Sequence, residues 1–299
     1  DYDHDGDLDL YSLNYGTYFE SENDAESETN ILYQNNGDGT FTDVTFEAKL
    51  SGSIAFSEIP GEHLESGVVR VDMVAGTPSS PGMFSDSDAG SGMSWAALWI
   101  DYDNDGWEDV FIASDFGVSP MYRNKGHGTF SVVTNNVGMS FPGTGMGLDA
   151  GDYDRDGDKD VAIMGSSSTL GAVTAIYRND AGTFVNTNQD FVKLYDGDIT
   201  WIDINKDGYL DLVVSGYNQS PQTILYINNA GTSFTQDVTV NLPQLFSTKM
   251  AWGDLDLDGD IDFAMMGING SEVLESYIGF KENNKYKLIK DQFPALVKG

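Results

Sequence analysis

A chain of 299 residues with 40% hydrophobic and 12% aromatic content can bury a large core, which sets it apart from disordered sequences. Its 48 acidic residues against 15 Lys and Arg give a formal charge of −33, leaving no basic footprint for nucleic acid or an anionic membrane. There is no cysteine to build a disulfide framework, no apolar run approaches the about 18 residues of a bilayer span, and none of the 299 residues reads as a signal peptide, which a longer chain could carry upstream.

The first nine residues set a pattern that the chain repeats. Asp1, Asp3 and Asp5 place short carboxylate arms on one side of a tightly curled loop, and Gly6 stands where the backbone must turn sharply. Asp7 can offer its carbonyl and Asp9 a closing carboxylate. Because the chain opens inside this loop, its N-terminus reads as a cut rather than a start.

The acidic and aromatic connection from Asn14 to Asn30 follows, with Tyr15, Tyr18 and Phe19, then a hairpin whose turn is Asn35-Asn36-Gly37-Asp38-Gly39. The turn recurs as Asn124-Lys125-Gly126-His127-Gly128, Asn179-Asp180-Ala181-Gly182 and Asn228-Asn229-Ala230-Gly231, where Asn and Gly are expected to supply positive φ. Residues 51–93, rich in Gly, Ser, Pro and Met, interrupt the pattern as an insertion or a degenerate blade, and the insertion is the preferred reading.

The nine-residue pattern returns at Asp101, Asp152, Asp203 and Asp254, three times at an interval of 51 residues, and the five copies hold 23 of the 48 acidic residues. A fixed period of this size signals a repeat architecture. All side-chain donors are oxygen, which suits Ca²⁺ better than zinc or copper. An EF-hand would need a bidentate Glu at position 12, where this chain has Ser12, Ile112, Ile163, Val214 and Met265. The residues after each loop read instead as buried strands.

One period contains four short apolar segments: Ser94 to Ile100, Asp109 to Ala113, Met121 to Asn124 and Thr129 to Val133. Tandem four-stranded antiparallel units predict an all-β chain folded as a β-propeller, with 1–299 as one domain of about six to seven blades completed by material outside the chain. The run Gly143-Thr-Gly145-Met-Gly147 lacks the lysine of a phosphate loop and is read as a closely packed strand entry.

The loops, the run "LYQNNGDGTFTDVT" at 32–45 and the run "MAWGDLDLDGDIDFAMMG" at 250–267 resemble the FG-GAP/VCBS repeats of integrin-α-type β-propellers. The early units also resemble ASPIC/UnbV-type extracellular proteins. The resemblance implies that each loop joins the first and second strands of a blade. It implies up to five Ca²⁺, held by Asp1, Asp3, Asp5, Asp7 and Asp9, then Asp101, Asp103, Asp105, Trp107 and Asp109, then Asp152, Asp154, Asp156, Asp158 and Asp160. The fourth set is Asp203, Asn205, Asp207, Tyr209 and Asp211, and the fifth is Asp254, Asp256, Asp258, Asp260 and Asp262. Position seven contributes its carbonyl in each case.

Strand order puts the acidic loops on one face and the connections Asn14 to Asn30 and 51–93 on the other, where Tyr15, Tyr18 and Phe19 are the candidate ligand-binding residues. His4, His63 and His127 have no cysteine or Gly-x-Ser-x-Gly elbow to pair with. The expectation is therefore a secreted or cell-surface adhesion module for an extracellular protein or glycan, in a larger chain or assembly, without nucleic-acid binding or membrane insertion. The alternative is a calcium-dependent propeller enzyme acting on polysaccharide in the manner of a lyase.

Overall fold

Runs of β-branched and aromatic residues bounded by Gly, Asn and Asp form strands here. The computed structural model describes residues 1–13, 30–50, 94–114, 119–139, 141, 144–167, 171–282 and 285–290. These residues form five antiparallel sheets and one four-residue helix. The first sheet has three strands, β1 (Leu10–Ser12), β2 (Ile31–Asn35) and β3 (Phe41–Asp43), and leads into helix α1 (Thr45–Ala48). The second contains β4 (Ser94–Ile100), β5 (Asp109–Ser114), β6 (Met121–Asn124) and β7 (Phe130–Val132). The third contains β8 (Thr144–Gly151), β9 (Asp160–Ser167), β10 (Gly171–Asn179) and β11 (Phe184–Asn186). The fourth contains β12 (Tyr195–Ile202), β13 (Asp211–Asn218), β14 (Ser220–Asn228) and β15 (Phe234–Asp237). The fifth contains β16 (Phe246–Gly253), β17 (Asp262–Ile268), β18 (Leu274–Glu282) and β19 (Lys285–Lys290).

In each four-stranded sheet, sequential strands pair as neighbours, the blade topology of a propeller. The second strands β5, β9 and β13 are buried along most of their length, which is why they read as unbroken apolar runs rather than alternating ones. Each of β4, β8, β12 and β16 carries a register shift near its start. In β8 that entry is made of glycine because a Cβ at Gly145 would lie 2.7 Å from the Ala113 Cβ, as the expected close packing requires.

The hydrophobic core lies between the sheets. Tyr2, Leu32, Ile112 and Phe130 join the first two, while Ile100, Phe111, Ile163 and Phe184 join the second and third. Met164, Trp201, Val214 and Phe191 join the third and fourth, and Val213, Leu245, Phe263 and Met265 the fourth and fifth. In the first four loops the second residue belongs to this core: Tyr2 and Ile204 are buried, Tyr102 meets Phe184 at 6.0 Å between ring centroids, and Tyr153 meets Phe234 at 5.6 Å.

The turn asparagines differ from expectation. Positive φ falls on Gly126, Ala181, Gly182, Ala230 and Gly231, not on Asn124, Asn179 or Asn228. Those asparagines instead cross to the preceding blade. Their Nδ2 groups donate to the carbonyls of Tyr2 (2.8 Å), Tyr102 (2.7 Å) and Tyr153 (2.8 Å). Lys281 does the same from the fifth sheet, its Nζ reaching the Ile204 carbonyl at 2.7 Å.

The turn glycine of one blade also abuts the acidic loop of the blade before it. A Cβ on Gly231, at φ +77°, would sit 2.8 Å from the Asp154 Cα. Gly128 shares the positive φ, at +75°, but faces open space. Gly231→Ala is therefore expected to destabilise the chain by about 1–3 kcal/mol more than Gly128→Ala, since only the first adds a backbone collision to αL strain. Equal urea midpoints for the two variants would contradict this.

Candidate metal centres

The five acidic loops connect a first strand to a second in sheets two to five and precede β1 in the first sheet. Their curl comes from local hydrogen bonding that needs Asp at fixed offsets. The fifth-position carboxylate accepts the seventh-position N–H in every loop, at 2.9 Å for Asp5, Asp105, Asp156 and Asp207 and 2.7 Å for Asp258. The first position accepts the Gly6-equivalent N–H in four loops, from Gly106, Gly157, Gly208 and Gly259 at 2.9 to 3.1 Å. The glycines take φ between 88° and 100°. Unforeseen from the sequence, the fourth position is also left-handed in every loop, at His4, Asn104, Arg155, Lys206 and Leu257, with φ from 56° to 64°.

The ninth Asp anchors the loop to its own sheet. Asp160 accepts the Tyr153 N–H at 3.0 Å and the Asn179 N–H at 2.8 Å, and Asp9, Asp109, Asp211 and Asp262 make the equivalent pairs. Asp109, Asp160 and Asp211 are fully buried. Burial is the largest influence on them and raises their pKa values, to about 7 for Asp109 and Asp160 and about 6 for Asp211, against the opposing pull of the backbone donors.

Carboxylate oxygens converge within 4.8 Å of one another in four groups: Asp1, Asp3 and Asp5; Asp101, Asp103 and Asp109; Asp152, Asp154 and Asp160; and Asp254, Asp256 and Asp262. Positions one, three and nine thus come together in the second, third and fifth loops, while the fifth-position side chains Asp105, Asp156 and Asp258 fall outside these groups. In the fourth loop Asn205 replaces the third carboxylate between Asp203 and Asp211, and its amide is engaged with Asp207 through Nδ2 at 3.0 Å and Oδ1 at 2.9 Å. The side chains of Asp7, Trp107, Asp158, Tyr209 and Asp260 stand outside all four groups.

Two oxygens in these groups test whether a cation fits. Asp103 Oδ1 and Asp254 Oδ1 are buried and receive no hydrogen bond. An acceptor left so costs about 1–3 kcal/mol unless something positive meets it, and an all-carboxylate donor set suits a hard divalent ion. The residues therefore fit calcium. Part of the charge is met from within: Arg123 Nε lies 2.7 Å from Asp103 Oδ2 and its Nη2 2.8 Å from Asp105 Oδ2, while Gln34 Nε2 donates to Asp3 Oδ2 at 2.6 Å. The sequence held a signal for this, a polar residue just before the turn asparagine, that strand reading passed over.

Tyr15, Tyr18, Phe19 and the 51–93 stretch lie outside the described residues. On the same face as the expected binding surface, at the ends of β12, β13 and β16 farthest from the acidic loops, three aromatics meet: Tyr195 and Tyr217 at 5.9 Å and Tyr217 and Phe246 at 5.2 Å between centroids. Beside them Asp196, Ser247 and Gln219 all have positive φ, and Ser247 Oγ donates to Asp196 Oδ1 at 2.7 Å. Sequence reasoning missed these three rings, since nothing in adjacent residues marks them as neighbours.

Antiparallel four-stranded blades with an acidic loop between first and second strands define a repeat protein of the propeller type. The repeats are FG-GAP-like: the model of the FG-GAP-like repeat matches residues 101–163 and 203–265, each match spanning two successive acidic-loop units. No curated protein matches the chain. Repeats of this kind are typical of extracellular and cell-surface proteins, and among the described residues no helix is long and apolar enough to cross a membrane.

Proposed function

We propose that this chain is a calcium-stabilised propeller module that binds an extracellular protein or glycan through the face opposite its acidic loops. The metal reading rests on the unpartnered buried oxygens of Asp103 and Asp254 inside convergent carboxylate groups, and FG-GAP repeats commonly bind Ca²⁺. Carboxylates at positions one, three, five and nine, Asn205 in the fourth loop, and the seventh-position carbonyls of Asp7, Trp107, Asp158, Tyr209 and Asp260 would be the ligands. Calcium would supply rigidity, neutralising charges that otherwise repel.

The whole chain is read as one domain, with 51–93 as an insertion between adjacent blades. The Tyr2–Asn124 hydrogen bond, the same link that joins later neighbours, supports that reading. The binding face is argued from the half-buried Tyr195, Tyr217 and Phe246 beside strained backbone, since rigid aromatics contribute large contact area at low entropic cost and strain clusters at functional positions. Tyr15, Tyr18 and Phe19 would extend the same face.

The test is a screen of a glycan array and a panel of purified extracellular matrix proteins with the calcium-loaded chain. Tyr217→Ala, Phe246→Ala and Tyr18→Ala are then compared with Lys125→Ala on the acidic-loop face. Loss of the hit in the first three, with the fold retained, is expected. Binding that only Lys125→Ala disturbs would overturn the face assignment, and turnover of a polysaccharide would replace binding with a lyase-like activity.

The loops should differ in strength. Asn205 removes a formal charge from the fourth loop and Lys206 adds the opposite sign beside it, so that loop is expected to bind calcium most weakly. Asn205→Asp is expected to tighten it by about three- to ten-fold. The Gly208 amide resonance during a calcium titration checks this, and a weaker site in the variant would contradict it.

A further inference from the structure

We propose that the fourth residue of each of the first four acidic loops is a positioning residue for the next loop, so that neighbouring metal sites fill as coupled sites rather than independently; this rests on the calcium reading above. The pattern holds at all four described junctions. His4 stacks on Trp107, with ring centroids 3.9 Å apart and planes 9° from parallel. Asn104 Nδ2 donates to Asp158 Oδ1 at 2.7 Å. The Arg155 guanidinium lies 5.2 Å from the Tyr209 ring centroid, and Lys206 Nζ lies 3.6 Å from Asp260 Oδ1. In each pair, position four of one loop meets position seven of the following loop.

The chemistry changes at every junction while the geometry does not. A stack, an amide–carboxylate hydrogen bond, a cation over a ring and an ion pair are each complementary within their own pair. Matched side chains at a constant register are what a functional junction needs, and solvated loop tips would not require them.

Coupling follows from where the two positions sit. Position four directly follows the third carboxylate and has left-handed φ, so an ion that holds the third-position arm in its carboxylate group fixes the backbone there and aims the side chain of position four. Position seven carries the carbonyl assigned to the next ion. A Cβ on Gly208 would lie 3.0 Å from Arg155 Nη1, so the guanidinium covers the sixth as well as the seventh position of its neighbour. A second link runs beneath. Asn228 N–H donates to Asp211 of the fourth loop, and its Nδ2 to the Tyr153 carbonyl of the third, so one residue touches both loops. Ordering one loop therefore lowers the entropy still to be lost by the next.

The experiment follows the Gly157 and Gly208 amide resonances of the full chain during titration with calcium chloride, in the unaltered protein, Arg155→Ala, Arg155→Lys and Tyr209→Ala. Tyr209→Ala keeps the carbonyl. Arg155→Ala is expected to raise the Gly208 midpoint by about two- to five-fold, the size of an exposed cation–π contact, and Arg155→Lys to restore it. Removing a positive charge would by itself tighten the site, so the sign separates coupling from simple electrostatics. Reciprocity requires Tyr209→Ala to raise the Gly157 midpoint in the third loop as well. A Gly208 midpoint unchanged or lowered in Arg155→Ala overturns the coupling while leaving calcium binding intact. Absence of any response of Gly157 and Gly208 to calcium in the unaltered chain overturns the calcium reading and the coupling together.

Discussion

Excess EDTA at about pH 7.5 is expected to lower the melting temperature of the chain by about 10–20 °C relative to about 1 mM calcium. With a Kd of about 10⁻⁴ M, each site adds about 1.4 kcal/mol at that concentration. The four three-carboxylate groups would then contribute about 6 kcal/mol, a large share of the about 5–15 kcal/mol that keeps a domain folded. The dependence on pH has a definite sign. Asp109 and Asp160 sit at about 7 in the folded metal-free chain against an ordinary value of 3.8, and Asp211 at about 6. The folded state therefore binds more protons than the unfolded one across that window. Their contribution is fully present below 3.8 and is lost as pH rises through about 7. In EDTA the chain should melt higher at about pH 5.5 than at about pH 7.5, while with calcium, which competes with those protons, the order should reverse. Calorimetry in the two buffers checks both statements, and a melting temperature indifferent to calcium would sink the first.

Asp160→Ala is expected to destabilise the chain by about 2–6 kcal/mol even in EDTA, far more than loss of any exposed carboxylate in the same loop. Its two oxygens are the acceptors for the Tyr153 and Asn179 N–H groups, and Asp160 and Asn179 are fully buried. Each donor left in the dry interior costs about 1–3 kcal/mol. Asp156→Ala removes only the acceptor for the exposed Asp158 N–H and is expected to cost less than about 1 kcal/mol without metal. Urea denaturation in EDTA compares them. Equal losses would mean that the ninth position is not the peg that pins each loop to its sheet. Asp160→Asn should fall between the two, since one amide oxygen remains while the NH₂ group faces a donor.

The local chemistry of the loops was open to reading because it is written in adjacent residues. An Asp that must accept an N–H two residues on, and a glycine that must take positive φ, leave a fixed spelling in one stretch of chain, and five copies exposed the period. The strands of the second blade were legible for the same reason. The expected Ser94 to Ile100 and Met121 to Asn124 coincide with β4 and β6, and Asp109 to Ala113 ends one residue short of β5. The expected Thr129 to Val133 exceeds β7 by one residue at each end, because both are β-branched residues that suit a strand, and their backbone groups still bond to Lys125 and Met121 just beyond the paired register.

What pairs across blades was not legible. The role of Asn124, Asn179 and Asn228 as links to the Tyr2, Tyr102 and Tyr153 carbonyls joins residues 122, 77 and 75 positions apart, and a turn signal explains those asparagines well enough to hide it. The meetings of His4 with Trp107 and of Arg155 with Tyr209 likewise exist only once blades stand side by side. So does the gathering of Tyr195, Tyr217 and Phe246. By itself the sequence determined an all-β chain of repeated blades with oxygen-rich loops, since hydrogen bonds within a loop and apolar periodicity within a strand act over a few residues. Only the tertiary structure decided which loop touches which and which carboxylates are buried, because those depend on how neighbouring sheets exclude water between them.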